Sequence, residues 1–162
     1  MITIRPEPPR QDDVLALMRQ ADEYALSIYS AEDYHCLDID ALDRPGVTVL
    51  VARTEHGTIA GMVALVDAGD STFEVKRMFV AETQRKLGVA SALLVRLAEV
   101  AGDAARSLGS PAARIRLETG WEQPDAIALY LKHGYAHIPN FGPYVGDASS
   151  VCMERVLSAR TT

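Results

Sequence analysis

Apolar and polar positions along this chain recur with two rhythms, a period of two and a period near three and a half. Together they divide it into elements. Thr3-Ile4-Arg5 reads as a short first strand closed by Pro6, Pro8 and Pro9. Asp12 or Asp13 can cap a helix whose apolar positions Val14, Leu17, Met18, Ala21 and Leu26 recur at helical spacing. The continuation from Tyr29 to Leu42, YSAEDYHCLDIDAL, is less regular and reads as a second short helix. Arg44-Pro45-Gly46 turns the chain into a strand over Val47 to Ala52. Glu55-His56-Gly57 then makes a tight hairpin into a strand over Ile59 to Val66. Past Asp67-Ala68-Gly69-Asp70, Phe73, Val75, Phe79 and Val80 mark a third consecutive strand, ended by the polar turn Glu82-Thr83-Gln84.

A long helix follows, with an apolar stripe at Val89, Leu93, Leu97, Val100, Ala104 and Leu108. Gly109 is placed as its C-cap and Ser110-Pro111 stops it. Arg114 to Glu118 (RIRLE) reads as a strand. Gln123 to His133 (QPDAIALYLKH) reads as a helix with Pro124 near its start and Gly134 just past its end. Tyr135 to Pro139 and Ser150 to Val156 read as closing strands joined by the loop NFGPYVGDAS. The order is β-αα-βββ-α-β-α-ββ, an α/β class (α+β in the stricter sense) with a mixed sheet and helices on both faces. No repeat, low-complexity tract or linker interrupts it, so a single domain over 1–162 is expected.

Composition narrows the picture only a little. With 162 residues, 48% hydrophobic and 23% charged, the chain suits one globular domain with a sizeable core. No apolar run reaches the roughly 18 residues that span a bilayer, and Met1 to Pro6 lacks the basic start and apolar core of a signal peptide. No membrane association is expected, and the cytoplasm is the expected compartment. The net charge of −6 argues against nucleic acid as a partner and mildly favours a cationic one. Cys36 and Cys152 lie far apart with no CxxC or Cys/His cluster, so neither a zinc site nor a disulfide framework is suggested. No metal is expected elsewhere. Asp38-x-Asp40 lacks the Gly and the terminal Glu of a calcium loop, and Gly134 breaks the helix between His133 and His137.

The candidate chemistry centres on FEVKRMFVAETQRKLGVASALL, from Phe73 to Leu94. A strand, a basic turn and a helix N-terminus in succession make an anion cradle. The first-turn N–H groups of a helix lack internal partners, and the macrodipole favours negative charge there. Gly88 removes the Cβ that would keep a phosphate from the backbone, and Ala90 does nearly the same. Arg85-x-x-Gly88-x-Ala90 resembles the [QR]-x-x-G-x-[GA] signature of the GNAT (GCN5-related) N-acetyltransferase superfamily. Two further blocks are similar to that family. Ala126-Ile127-x-Leu129-Tyr130-x-x-x-Gly134-Tyr135 resembles its A-x-x-L-Y-x-x-x-G-[FY] block. Glu74 stands eleven residues before Arg85, where several members carry a strand glutamate.

The resemblance implies the GNAT fold, with a mixed, mostly antiparallel sheet, and an N-acetyltransferase that uses acetyl-coenzyme A. Residues Arg85, Lys86, Leu87, Gly88, Val89 and Ala90 would then bind the pyrophosphate. The main chain of Met78, Phe79 and Val80 would hold the pantetheine arm and the thioester carbonyl. Glu74 would be the general base, directly or through a water, and Tyr130 the general acid beside the coenzyme sulfur. Glu74 reads equally as a surface glutamate paired with Lys76 or Arg77, and Tyr130 as a packing tyrosine. Gln123 stands where many members place an Asn on the coenzyme, and its longer amide reaches similar bonds. Direct transfer is expected, because neither cysteine lies in these motifs.

In this fold the first two helices and the last interstrand loop flank the acceptor cleft. Tyr29, Tyr34 and His35, with Asp38 and Asp40, come from the first region; Phe141 and Tyr144 come from the second. Acidic and aromatic groups suit a cationic amine, but each of these residues reads as well as a cap or surface residue. Trp121 is open to packing or to substrate contact. A small-molecule amine is the expected acceptor, with a lysine or N-terminal amine of a protein as the alternative. Two other readings stand beside the enzyme: a coenzyme-A-binding regulatory module without turnover, and a cradle for another nucleotide or phosphate ligand. The second is weakened by the absence of a GxGxxG or P-loop motif. Oligomeric state is not readable from the residues; a homodimer is expected by analogy with the family alone.

Overall fold

The computed structural model describes residues 1–34 and 36–158. Strand β1 (Ile2–Pro6) leads into helix α1 (Asp12–Ile28), a 3-10 turn (Ala31–Asp33) and helix α2 (Ile39–Leu42). Strands β2 (Val47–Thr54), β3 (Ile59–Asp67) and β4 (Thr72–Val80) follow, then a 3-10 turn (Glu82–Gln84) and helix α3 (Val89–Ser107). Strand β5 (Ala112–Gly120), helix α4 (Pro124–Lys132), strand β6 (Ala136–Ile138), a 3-10 turn (Gly142–Tyr144) and strand β7 (Ser150–Ser158) complete the chain. The strands form one sheet in the order β1-β2-β3-β4-β5-β7-β6. The pair β4–β5 is parallel, and β1–β2, β2–β3, β5–β7 and β6–β7 are antiparallel. The expected element order and mixed sheet are therefore observed. Among the described residues no helix is long and apolar enough to cross a membrane.

By internal contacts the chain forms two compact units, Met1–Val66 with Lys76–Leu97, and Asp67–Val75 with Ala98–Thr162. In the first, Val51 of β2 faces Met62 of β3 and Val49 faces Ala64 across an antiparallel ladder. These side chains pack with Val14, Leu17 and Met18 of α1 and Leu42 of α2. Residues one position out of phase point to the opposite face of a strand. There Gly61 lets α3 close in: a Cβ at Gly61 would stand 3.2 Å from Leu93 and Val89 side-chain atoms and 3.0 Å from the Phe79 carbonyl. So in this unit α1 and α3 cover the two faces of the strands.

In the second unit β5 and β7 pair over nine residues, from Ala112↔Ser158 to Gly120↔Ser150. Ala113, Ile115 and Leu117 alternate into the core, with Phe73, Val75, Ala101, Ala105 and Met153 also buried. Strand β4 pairs with β5 only over Thr72, Phe73 and Glu74, opposite Arg114, Ile115 and Arg116.

Three expectations shift in detail. The segment after α1 is not one helix from Tyr29 to Leu42, but a 3-10 turn and a four-residue helix capped by the Asp38 side chain on the Ala41 N–H, 2.9 Å. Leu26, expected on the buried stripe of α1, is 50% exposed, and Ala25 is buried instead. On α3 the buried series after Leu97 is Ala101 and Ala105 rather than Val100, Ala104 and Leu108. Leu108 lies past the helix end and is 69% exposed. The i, i+4 ridge continues through the small residues, because a core-facing helix needs close approach more than side-chain bulk.

Candidate active site

In the first unit, β4 carries Met78, Phe79 and Val80 to its end, and the chain then turns into α3. Within that turn Lys86 has φ +63° and Gly88 φ +83°, two left-handed residues separated by one. Nothing lies within 4 Å of where a Gly88 Cβ would stand, so the backbone here is approachable from outside. Lys86, Leu87 and Gly88 are exposed, Ala90 is half-buried, and Val89 is buried. Arg85 does not reach out alone. Its guanidinium lies over the rings of Tyr24 (5.4 Å) and Phe79 (5.3 Å), and its Nε donates to the Val80 carbonyl, 3.3 Å. Tyr24 was not among the expected site residues, since an exposed helix tyrosine carries no signal of its own.

The first unit also contains a polar cluster at an irregularity in β4. Arg77 has φ +54° inside the strand, and its side chain is 5% exposed. It donates to Asp22 Oδ1 of α1 (2.6 Å) and to the Leu37 carbonyl (2.7 Å). The Tyr34 hydroxyl donates to the same Asp22 oxygen, 2.7 Å, and the Cys36 thiol lies 3.8 Å from it. Burial, with bonds to Cys36 and Asp22, pushes the Tyr34 hydroxyl well above its usual pKa, so it stays a donor. Tyr34, Cys36 and Leu37 are thus tied to α1 and β4. Tyr29 ends α1, donating its N–H to the Ala25 carbonyl, 2.8 Å. His35 lies outside the described residues.

In the second unit, Glu74 Oε1 accepts a hydrogen bond of 2.9 Å from the Tyr144 hydroxyl. Tyr144 was expected to face the acceptor; the structure buries it completely, at 0% exposure, so its ring is not available for that contact. Burial and the charges of Glu74 and Glu118 push the Tyr144 hydroxyl well above its usual pKa. Phe141 is half-buried, edge-on to Tyr144 with centroids 5.4 Å apart, and the Arg116 guanidinium lies 5.5 Å over its ring. Arg116 in turn bonds Glu154, 2.8 Å.

Tyr130 lies on α4, 6% exposed, in edge contact with Tyr135 at 5.7 Å. Its hydroxyl pKa is raised, first by burial and then by Tyr135 and Glu118. Gln123 is the N-cap residue of α4 and makes no side-chain capping bond. Glu118, which accepts from the Ser150 hydroxyl at 3.2 Å, is a further carboxylate of interest that the sequence reading missed. Its charge acts on both Tyr130 and Tyr144. The alternation Arg114, Arg116, Glu118 against buried Ile115 and Leu117 was the signal available. Among the described residues no group of His, Cys, Asp and Glu is arranged to hold a metal ion, and neither cysteine forms a disulfide.

A strand, a left-handed turn and a helix start in one unit, with a carboxylate and a buried phenol in the other, fit the acyl-CoA N-acyltransferase fold. Comparison with known proteins identifies the family. Residues 45–137 match the family described as Acetyltransferase (GNAT) domain. The chain is 41% identical over 157 residues to an IAA acetyltransferase of Azospirillum brasilense, covering 96% of this chain and 98% of that protein. A solved chain from Klebsiella pneumoniae described as an acyl-CoA N-acyltransferase is 29% identical, with a TM-score of 0.77 over 97% of this chain and 98% of that one. The PaiA N-acetyltransferase of Thermoplasma acidophilum, solved in complex with coenzyme A, shares the fold at a TM-score of 0.70 and 16% identity, over 96% of this chain and 98% of that one. The chain belongs to the GNAT acetyltransferase family and is an N-acetyltransferase.

Proposed function

We propose that this N-acetyltransferase moves the acetyl group of acetyl-coenzyme A directly to a primary amine of a small molecule. The observation that carries the reading is the turn before α3. Lys86 at φ +63° and Gly88 at φ +83° shape a turn that is open where a Gly88 Cβ would stand, which suits main-chain N–H groups cradling a diphosphate. Arg85, Lys86, Leu87, Gly88, Val89 and Ala90 would form that cradle. The main chain of Met78, Phe79 and Val80 would hold the pantetheine arm and polarise the thioester carbonyl, and Gln123 would add an amide contact. The coenzyme A bound by the Thermoplasma neighbour and the family match support this donor. The name of the Azospirillum relative supports a small-molecule acceptor. Tyr29, Tyr34 and Phe141 remain candidates to line the acceptor site.

The donor supplies a thioester, with an electrophilic carbonyl and a thiolate to leave. The chain must manage the protons. An alkylammonium has a pKa of about 10.4, so a base is needed at neutral pH, and Glu74 takes that proton. As the C–N bond forms and the C–S bond breaks, Tyr130 gives its proton to the departing sulfur. It then recovers one from the acylated nitrogen. The net proton is the one on Glu74, which passes to solvent. Burial keeps the Tyr130 hydroxyl protonated and available for this step. Neither Cys36 nor Cys152 lies in these segments, which favours direct transfer over an acyl-cysteine.

The test is thiol release from acetyl-CoA with a pool of amino acids, putrescine, spermidine, tyramine and short peptides at mildly alkaline pH. Pool-dependent release that falls about a hundredfold or more in Glu74→Gln and in Tyr130→Phe supports both roles. Release that ignores both substitutions keeps the transferase and overturns the residue roles. Binding of acetyl-CoA with no release from any member of the pool supports a coenzyme-binding regulator instead.

A further inference from the structure

We propose that Tyr144 is a positioning residue for the transfer reaction: from the β6–β7 connection its hydroxyl holds the Glu74 carboxylate in the orientation in which it receives the acceptor's proton. The proposal rests on the reading of Glu74 as base. It starts from a pairing across seventy residues of sequence, since the Tyr144 hydroxyl lies 2.9 Å from Glu74 Oε1. An ionised carboxylate only accepts, so the phenol is the donor and the bond is charge-assisted, the stronger kind.

The donor has no freedom to wander. Tyr144 ends a single 3-10 turn, Gly142–Tyr144, and its N–H donates to the Phe141 carbonyl, 3.0 Å. Its own carbonyl accepts from the Asn140 side-chain amide (3.0 Å) and from the Asp147 N–H (3.0 Å). The same Asn140 amide also donates to the Asp147 carbonyl, 3.0 Å. Phe141 closes on the tyrosine ring edge-on. With its ring at 0% exposure, Tyr144 touches no acceptor, so an effect on the reaction passes through the residues it bonds, Glu74 foremost. On the other side, Glu74 sits at the last rung of the short β4–β5 ladder, opposite Arg116. Its backbone is therefore fixed while its side chain points to the buried phenol. A base whose carboxylate oxygen accepts from a fixed donor is the kind of preorganisation that acid–base catalysis uses.

The experiment is a double-mutant cycle on the full chain, with acetyl-CoA and the pool member giving most thiol release as substrates. Tyr144→Phe keeps the ring and deletes the donor. We expect its kcat to fall about tenfold, the effect of one hydrogen bond to a charged group. KM for acetyl-CoA and for the amine should stay within about twofold. In a Glu74→Gln background, Tyr144→Phe should change kcat no further, because the group it positions is gone. An equal loss in both backgrounds, or a loss confined to KM together with a lower melting temperature, would overturn the proposal in favour of a loop staple. If Glu74→Gln itself leaves kcat intact, the base reading fails and takes this one with it. If Glu74→Gln abolishes turnover while Tyr144→Phe is silent, positioning alone fails. Should Tyr144→Phe not fold, Asn140→Ser tests the same bond by loosening the turn while sparing the hydroxyl. It should lower kcat when Glu74 is intact and leave it unchanged in the Glu74→Gln background, and equal losses in both overturn the proposal.

Discussion

Tyr135 and Tyr144 are both buried phenols in the second unit, yet they differ in what their hydroxyls do. Tyr144 donates to Glu74, whereas the Tyr135 hydroxyl, on a ring 2% exposed, has no hydrogen-bond partner among the described residues. Burial pushes its pKa up to about 12. A buried hydroxyl without a partner loses its hydration and regains nothing. Tyr135→Phe should therefore stabilise the protein by about 1 kcal/mol. For a chain of this size that is roughly 2–4 °C in melting temperature, readable by calorimetry, with the edge contact to Tyr130 retained. A lower melting temperature would show that the hydroxyl is satisfied in solution. The contrast also marks what was legible at this scale. Residue type and motif position pointed to Glu74, Tyr130 and Tyr144 as chemistry-bearing. They did not reveal that Tyr144 faces inward onto Glu74, because that contact joins a loop to a strand seventy positions away. Glu118 escaped for the same reason: its neighbours are set by the β5–β7 register, which no local pattern records.

At the level of elements, the entry to α1 is fastened to β2 by Arg53. The β2–β3 register shifts between Ala52 and Arg53, and Arg53 bonds Glu7 at 2.8 Å and Asp13 at 2.6 Å. The hydrogen bond from Arg53 is the main reason that both carboxylates are held below their usual range. The unfolded values are about 4.3 for Glu and 3.9 for Asp, so the folded state binds fewer protons there. This contribution is complete above the unfolded values and is lost as pH falls through the lowered folded ones. Arg53→Leu should thus lower the melting temperature clearly at pH 7, by a gap that narrows as pH falls below the unfolded carboxylate values. A gap that does not narrow as pH falls would mean that Arg53 acts through packing alone. The strands and the longer helices were readable because their apolar periods are strong. The stretch after α1 was not, since Tyr34 and Cys36 there answer to Asp22, and Asp40 to Arg10, rather than to helical spacing. The left-handed Arg77 in β4 was invisible too, because an arginine gives no sign of the φ it will adopt.

For the molecule as a whole, net charge −6 works against capture of a polyanionic coenzyme. On the function proposed above, local donors on the turn from Arg85 to Ala90 would then supply the attraction. Coenzyme A at about one hundred times its dissociation constant would stabilise the folded state by about 2.7 kcal/mol. At roughly 2–4 °C per kcal/mol this amounts to a rise of about 5–11 °C in melting temperature. Gly88→Ala separates two consequences of the same residue. At φ +83° an alanine is strained, which should lower the melting temperature of the free protein by an amount corresponding to about 1–2 kcal/mol. The added Cβ meets no protein atom within 4 Å, so any further loss reflects the ligand it obstructs. The rise produced by coenzyme A should therefore shrink in Gly88→Ala, while adenosine, which lacks the diphosphate, should shift wild type and variant equally little. If Gly88→Ala keeps the full rise with coenzyme A, the diphosphate does not lie on this turn, and the cradle must be sought elsewhere on the chain.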